Sequence, residues 1–273
     1  MSRARLRLAL RRAANGAAAL LRSCFRTRFR VEEKAAGNLV SVIDRRAEAT
    51  IRERLLGAFP RAGFLGEESG WTHGEDPIFV VDPLDGTTNY VRGLPYYAVS
   101  LAALERGEPV AGIIVAPELD LAYEATVGEG ATLNGLPIHT RRARLKPASL
   151  IAVSSSFGPH LRRQCQWLLR GEKGKIRRLG STALELGLLA EGLLDLGLFD
   201  RTHLWDVTAG WLLVSEAGGR CGLLNGSRLF PLPRNRLEEA GRFLAAWASN
   251  GLSHRDLATL GHRRRRGRGQ RLG

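Results

Sequence analysis

The segment that most constrains this chain is an apolar strand that runs directly into acids. Residues 78–81 are apolar and β-prone, and the run continues as Asp82-Pro83-Leu84-Asp85-Gly86-Thr87-Thr88-Asn89. Pro83 holds Asp82 extended. Gly86 lets the backbone turn tightly and approach a ligand. Thr87 and Thr88 add amide N–H groups and hydroxyls. Two carboxylates beside a ring of N–H donors suit holding hard divalent cations against a phosphate. The plainer alternative is a turn after a strand, with both acids as turn formers.

Other acids shift the balance toward a site. Gly66-Glu67-Glu68-Ser69 places two adjacent carboxylates in a loop, which is uneconomical unless a cation offsets their repulsion. Leu204-Trp205-Asp206-Val207-Thr208-Ala209-Gly210 places Asp206 at the start of an apolar helix, where an acid also serves as a cap. Ser41 and Asp44 read as an N-cap and its capping-box partner.

Around these motifs the pattern is mixed. Leu6, Leu10, Ala13, Ala17, Leu20, Leu21 and Cys24 follow helical spacing, as do Ile43, Ala47, Ile51, Leu55 and Phe59 before Pro60. A loop with Gly63, Gly66 and Gly70 leads to the strand at 78–81. Strand-like runs follow at 97–103, 110–116 and 121–126, and Asn134-Gly135 reads as a hairpin turn. The second half alternates: strand 149–154, helix 160–170, helix 182–191, strand 193–199, helix 206–217 and strand 219–223. Clustered strands followed by alternation predict an α+β fold of large sheets covered by helices. Arg141–Ala148 breaks the apolar pattern and suggests an N-terminal subdomain over 1–145 and a C-terminal one over 146–261.

Net charge is +14, and its placement matters more than its size. Residues 1–30 hold nine Arg and no acid, and residues 262–273 hold six Arg and no acid. Without them the chain is close to neutral, so the ends and not the body are basic. Such ends offer weak electrostatic binding to nucleic acid or an anionic surface, or act as solubilising tails; 262–273 reads as a disordered Arg-rich tail. No run reaches the length of a membrane span. Three separated cysteines make neither a disulfide framework nor a zinc cluster, and a reducing cytoplasm is the simplest compartment. The Arg- and Ala-rich N-terminus also has the composition of a mitochondrial transit peptide.

In order and context, GEES, DPLDGTTN and WDVTAG resemble the inositol monophosphatase family of Mg²⁺-dependent, lithium-sensitive phosphatases. Lys34, Asn38–Ser41 and Asp44, then Asn89–Val91 with Pro95–Ser100, Gly180–Ala183 and Glu216–Gly219 extend the resemblance. It implies a layered αβαβα sandwich, an N-terminal helix in place of a transit peptide, and homodimers. By the same resemblance Glu67, Asp82 and the Leu84 carbonyl ligate one Mg²⁺; Asp82, Asp85 and Asp206 ligate a second. Glu67 helps hold a third ion. Asp44 and Thr87 position the attacking water, with Glu67 near it, and the Gly86 and Thr87 amides bind phosphate. Gly180, Thr182, Asp85 and Asp206 face the substrate, a small phosphomonoester. No nucleophilic Cys or Ser motif is evident, in keeping with attack by water.

Thr88-Asn89 matches inositol monophosphatases better than the related 3′-phosphoadenosine nucleotidases or histidinol phosphatases, which tend to carry a basic residue there. One departure stands out. Seven residues before Asp206, where the family places a sugar-contacting Glu, this chain has Phe199, with Asp200 next to it. Either Phe199 forms an apolar wall that broadens specificity, or a one-residue shift lets Asp200 substitute. A regulator that binds RNA or transcription machinery is the competing class; it could dispense with the metal ligands, and all are present.

Overall fold

In the computed structural model, the four-residue apolar rhythm of the N-terminus becomes one buried helix face. The structure describes residues 2–27, 31–35, 38–141, 145–154, 174–237 and 244–250. Helix α1 (Arg3–Cys24) buries Leu6, Ala9, Leu10, Ala13, Ala14, Ala17, Ala18 and Leu21. After the hairpin β1 (Val31–Ala35) and β2 (Asn38–Ser41), helix α2 (Val42–Ala58) buries Ile43, Ala47, Ile51 and Leu55 on the same side. The two helices pack together and cover one face of a large sheet.

That sheet has eight strands in the order β10-β9-β8-β7-β6-β5-β3-β4. They are β3 (Ala62–Gly66), β4 (Gly70–Thr72), β5 (Glu75–Asp85), β6 (Ala98–Glu105), β7 (Glu108–Ala116), β8 (Leu121–Thr126), β9 (Gly130–Leu133) and β10 (Leu136–Ile138). Side chains on a strand alternate between faces. Phe79 and Val81 accordingly join the α1/α2 core, whereas Ile78 and Val80 point to the opposite layer. Residues 62–66, expected as loop, form an interior strand parallel to β5. The short helix α3 (Thr87–Val91) follows β5 directly. The expected hairpin at Asn134-Gly135 forms, both residues having positive φ and Leu133 facing Leu136.

Helices α4 (Thr182–Ala190) and α5 (Leu204–Glu216) lie between this sheet and a second one. The second sheet, β12-β11-β13-β15-β14, comprises β11 (Leu150–Val153), β12 (Lys175–Arg177), β13 (Leu196–Thr202), β14 (Arg220–Leu223) and β15 (Leu244–Ser249). Strands β12 and β15 were not expected from local pattern. The change of sheet falls between Ile138 and Leu150. Four layers of the αβαβα order are thus described. The helix expected at 160–170 and the Arg-rich 262–273 segment lie outside the described residues.

Candidate active site

Glu67 reaches Asp82 through strand register. Strands β3 and β5 run parallel with Gly66 beside Val81, and the Glu67 amide donates to the Val81 carbonyl at 3.1 Å. Asp82 stands opposite Ser100 of β6 and Asp85 opposite Ala98, with a bulge between them. The bulge turns the Leu84 backbone aside while its amide donates to Asp82 Oδ1 at 2.9 Å. Gly86 has φ +95°, and an added Cβ would lie 2.9 Å from the Tyr96 carbonyl oxygen, so both conformation and space require glycine there.

Asp206 is brought in from the other half of the chain. It is the third residue of α5, and its carboxylate accepts from the His203 amide at 2.7 Å. The Ser100 hydroxyl donates to the Trp205 carbonyl at 3.3 Å, tying this helix start to β6 next to Asp82. The capping role expected of a helix-start acid is therefore present, and the same carboxylate lies within electrostatic reach of Asp82 and Asp85.

Asp82 is 2 % exposed. Burial, followed by the charges of Glu67, Asp85 and Asp206, pushes its carboxyl well above the ordinary range. Burial and then Asp206 push Asp85 up to about 7, against opposing hydrogen bonds from Ser181 and Ala183. Like charges crowded into a dry site favour protons or cations. All of the converging donors are oxygens, the set that Mg²⁺ prefers. Among the described residues no three acids, histidines or cysteines are already drawn into a finished ion cage. Glu67 and Asp82 are close enough for each to disfavour the other's charge. The donor chemistry fits divalent cations, whose charge would offset this repulsion.

Thr87 joins two candidate groups. Its Oγ1 lies 3.1 Å from Asp44 Oδ1 and 3.0 Å from the Leu84 carbonyl oxygen. One hydroxyl proton serves one of these acceptors at a time. Asp44 itself is 2 % exposed.

Two further acids are buried where the motifs alone do not point. Glu48 accepts from the Glu68 and Ser69 amides, each at 2.8 Å, and so shapes the loop that carries Glu67. Gly66 leaves the space for it, since a Cβ there would sit 2.5 Å from a Glu48 oxygen. The available signal was an acid four residues after Asp44 on one helix, an unfavourable like-charge spacing without a purpose. Glu185, in otherwise apolar α4, accepts from the Leu179 amide at 2.7 Å. Burial pushes its carboxyl up to about 8.

Glu185 and Asp85, and not Glu48, hold the segment around Gly180 and Thr182. Asp85 Oδ2 accepts from Ser181 Oγ at 2.7 Å and from the Ala183 amide at 2.6 Å. Asn89 Nδ2 donates to the Tyr96 and Leu179 carbonyls, each at 2.7 Å.

Phe199 does not face this site. It is 1 % exposed, on the face of β13 that packs against the α4/α5 layer, with its ring over Gly197. Strand alternation gives the cause: Gly197 and Phe199 share the inner face. The expected apolar wall is therefore corrected. Asp200 follows at a bulge and is half-buried; its backbone is held by Ser154, whose Oγ lies 2.9 Å from the Asp200 amide nitrogen.

Residues 3–260 match the sequence profile of the inositol monophosphatase family. The chain belongs to that family. As an inositol monophosphatase family member it is a phosphoric monoester hydrolase. It is 41 % identical over 203 residues to the inositol-1-monophosphatase of Rhizobium meliloti, covering 70 % of this chain and 74 % of that one. It is 33 % identical over 248 residues to the Nus factor SuhB of Escherichia coli K12, covering 88 % and 92 %. The crystal structure of the extragenic suppressor protein SuhB from Bartonella henselae superposes with TM-score 0.82 at 32 % identity, covering 93 % and 97 %. Family relatives thus carry both phosphatase and Nus-factor names.

Proposed function

We propose that this chain hydrolyses inositol monophosphate or a related small sugar or polyol phosphate, with Mg²⁺ as cofactor. The observation that carries the reading is the convergence of Glu67 from the turn after β3, Asp85 from the end of β5 and Asp206 from the start of α5 on the Asp82 carboxylate, which is 2 % exposed. Glu67, Asp82, the Leu84 carbonyl, Asp85 and Asp206 would hold two ions, and Glu67 would help with a third. Bound there, Mg²⁺ supplies charge neutralisation at the phosphoryl group, acidification of water and stabilisation of the leaving alkoxide.

The chain's own residues do the positioning. Asp44 and Thr87 form an acceptor and a hydroxyl that together orient a water, with Glu67 beside it. The Gly86 and Thr87 amides, at the start of α3, bind phosphate oxygens. Gly180 and Thr182 line the substrate side through the bonds that tie their segment to Asp85. Asp200 takes the hydroxyl-accepting place that Phe199 leaves. The same reading makes the protein a cytoplasmic, lithium-sensitive homodimer.

A phosphate-release panel tests it: inositol phosphates, sugar phosphates, histidinol phosphate and 3′-phosphoadenosine nucleotides, each with Mg²⁺ and with EDTA. The expected result is best turnover of an inositol or sugar phosphate, abolished by EDTA and reduced by LiCl against KCl at equal ionic strength. Asp200→Ala should weaken the preference for inositol 1-phosphate. Full turnover in EDTA would overturn the metal assignment, and preference for a nucleotide would overturn the substrate class.

A further inference from the structure

The arginines of α1 fall into two groups. Arg3 pairs with Glu105 at 2.9 Å, Arg7 with Glu129 at 2.8 Å, Arg11 with Glu124 at 2.7 Å and Arg22 with Asp120 at 2.6 Å. These pairs fasten the helix to acids of the large sheet and its turns. Arg5 and Arg12 point the other way, toward α2. With Arg54 of α2 they line one cavity of about 340 Å³, together with Leu8, Ala9 and Ala58. Among the described residues no carboxylate pairs with any of the three, although Glu53 precedes Arg54 in the chain.

Two of the guanidiniums are held in place. Arg5 donates to the Ala58 carbonyl at 2.8 Å and lies 4.8 Å from the centre of the Phe59 ring. Arg54 donates to the Arg12 carbonyl at 2.8 Å. Each bond uses one of a guanidinium's five N–H donors, so most of the hydrogen-bonding capacity remains for a ligand, and all three side chains are exposed. Three like charges share a concave space whose remaining lining is apolar, with Leu8 45 % exposed. Guanidinium forks match phosphate oxygens in shape as well as charge. A cavity of this size also suits a small molecule.

We propose that this cavity between α1 and α2 is an anion-binding site for a small molecule bearing a phosphate or diphosphate group. It is separate from the carboxylate site and does not depend on the phosphatase reading. Arg5, Arg12 and Arg54 grip the anion, and Leu8, Ala9 and Ala58 take a short apolar body.

The test is calorimetric titration of inorganic pyrophosphate into the full chain in EDTA, where the carboxylate cluster without cations repels anions. The expected result is one saturable site per chain. Combining Arg12→Ala with Arg54→Ala should weaken it at least tenfold. Arg7→Ala, which removes an equal charge from a paired arginine, should change it less than twofold. A chain ending after Gly261 should bind as the full chain does. Thermal melts check folding, and if the double variant does not fold, the exposed Arg12→Ala alone should show most of the loss. Absence of saturable binding overturns the proposal. So does equal weakening by Arg7→Ala, which would mark diffuse attraction, or loss of binding on removing the tail. Binding of single-stranded RNA in an Arg12- and Arg54-dependent manner, with none of pyrophosphate, would replace it with a nucleic-acid surface.

Discussion

The strand end at 82–89 and the loop and helix start at 179–185 both present a buried carboxylate, yet the two are satisfied in opposite ways. Asp82 is surrounded by Glu67, Asp85 and Asp206, and each of them raises its pKa. Glu185 is likewise buried and feels one acid, Asp85, but it accepts the Leu179 amide, and backbone bonds from Leu179 and Gly180 oppose its upward shift. A buried acid among acids is poised for cations. A buried acid among amides braces the chain. The difference lies in the neighbours, since both groups share a large cost of burial.

Removing the carboxylate charge should separate the two regions most sharply. Asp82→Asn nearly keeps the shape and removes one negative ligand, and it should lower Mg²⁺-dependent phosphate release by roughly 100-fold or more. In EDTA the same variant should melt no lower than wild type, because the substitution also removes repulsion. Near-normal turnover would break the comparison.

Glu185→Gln should behave differently. Its folded-state pKa of about 8 lies above the ordinary value of 4.5, so the folded protein holds a proton that the unfolded chain releases between those limits. The sign follows from linkage: stability falls as pH rises from 4.5 through 8, each pKa unit being worth about 1.4 kcal/mol. Gln keeps the acceptor for the Leu179 amide and removes the titration. The unfolding free energy of the variant relative to wild type, read from denaturant melts, should therefore rise between pH 5 and pH 9, by on the order of a few kcal/mol at most, with turnover nearly preserved. A flat difference across pH would show that Glu185 is not buried as described.

The link between the regions can be cut more gently. Asn89→Ala removes the amide that donates to both the Tyr96 and Leu179 carbonyls, and should cost about 1–2 kcal/mol in denaturant unfolding. Its effect on KM should exceed its effect on metal affinity, because the segment it holds carries Gly180 and Thr182. Ser181→Ala is the mildest cut. It deletes the 2.7 Å bond to Asp85 and the N-cap bond from the Leu184 amide, worth about 1 kcal/mol of stability. A larger loss from Ser181→Ala than from Asn89→Ala would place the main tie at Asp85 instead.

Much of this was legible in the order of residues. Helices α1 and α2 announce themselves because one face repeats every three or four positions. Strands β6, β7 and β8 are apolar runs of ordinary strand length. The acids at 82 and 85 stand out because they interrupt such a run. All of these are local signals, set by the geometry of a single helix or strand.

Long-range register decided the rest. Residues 62–66 contain two glycines and look like a loop; pairing on both sides with β4 and β5 makes them a strand. Glu48 looks like an ordinary helix-surface acid until the loop at 67–69 folds over it. Phe199 aligns with a substrate-facing position by counting back from Asp206, but the phase of β13 turns its ring into the core. The sequence by itself determined which chemical groups are available and which elements carry them, because those depend on neighbours along the chain. Only the tertiary structure decided which carboxylates meet, since strand pairing and the placing of α5 between two sheets bring together residues more than a hundred positions apart.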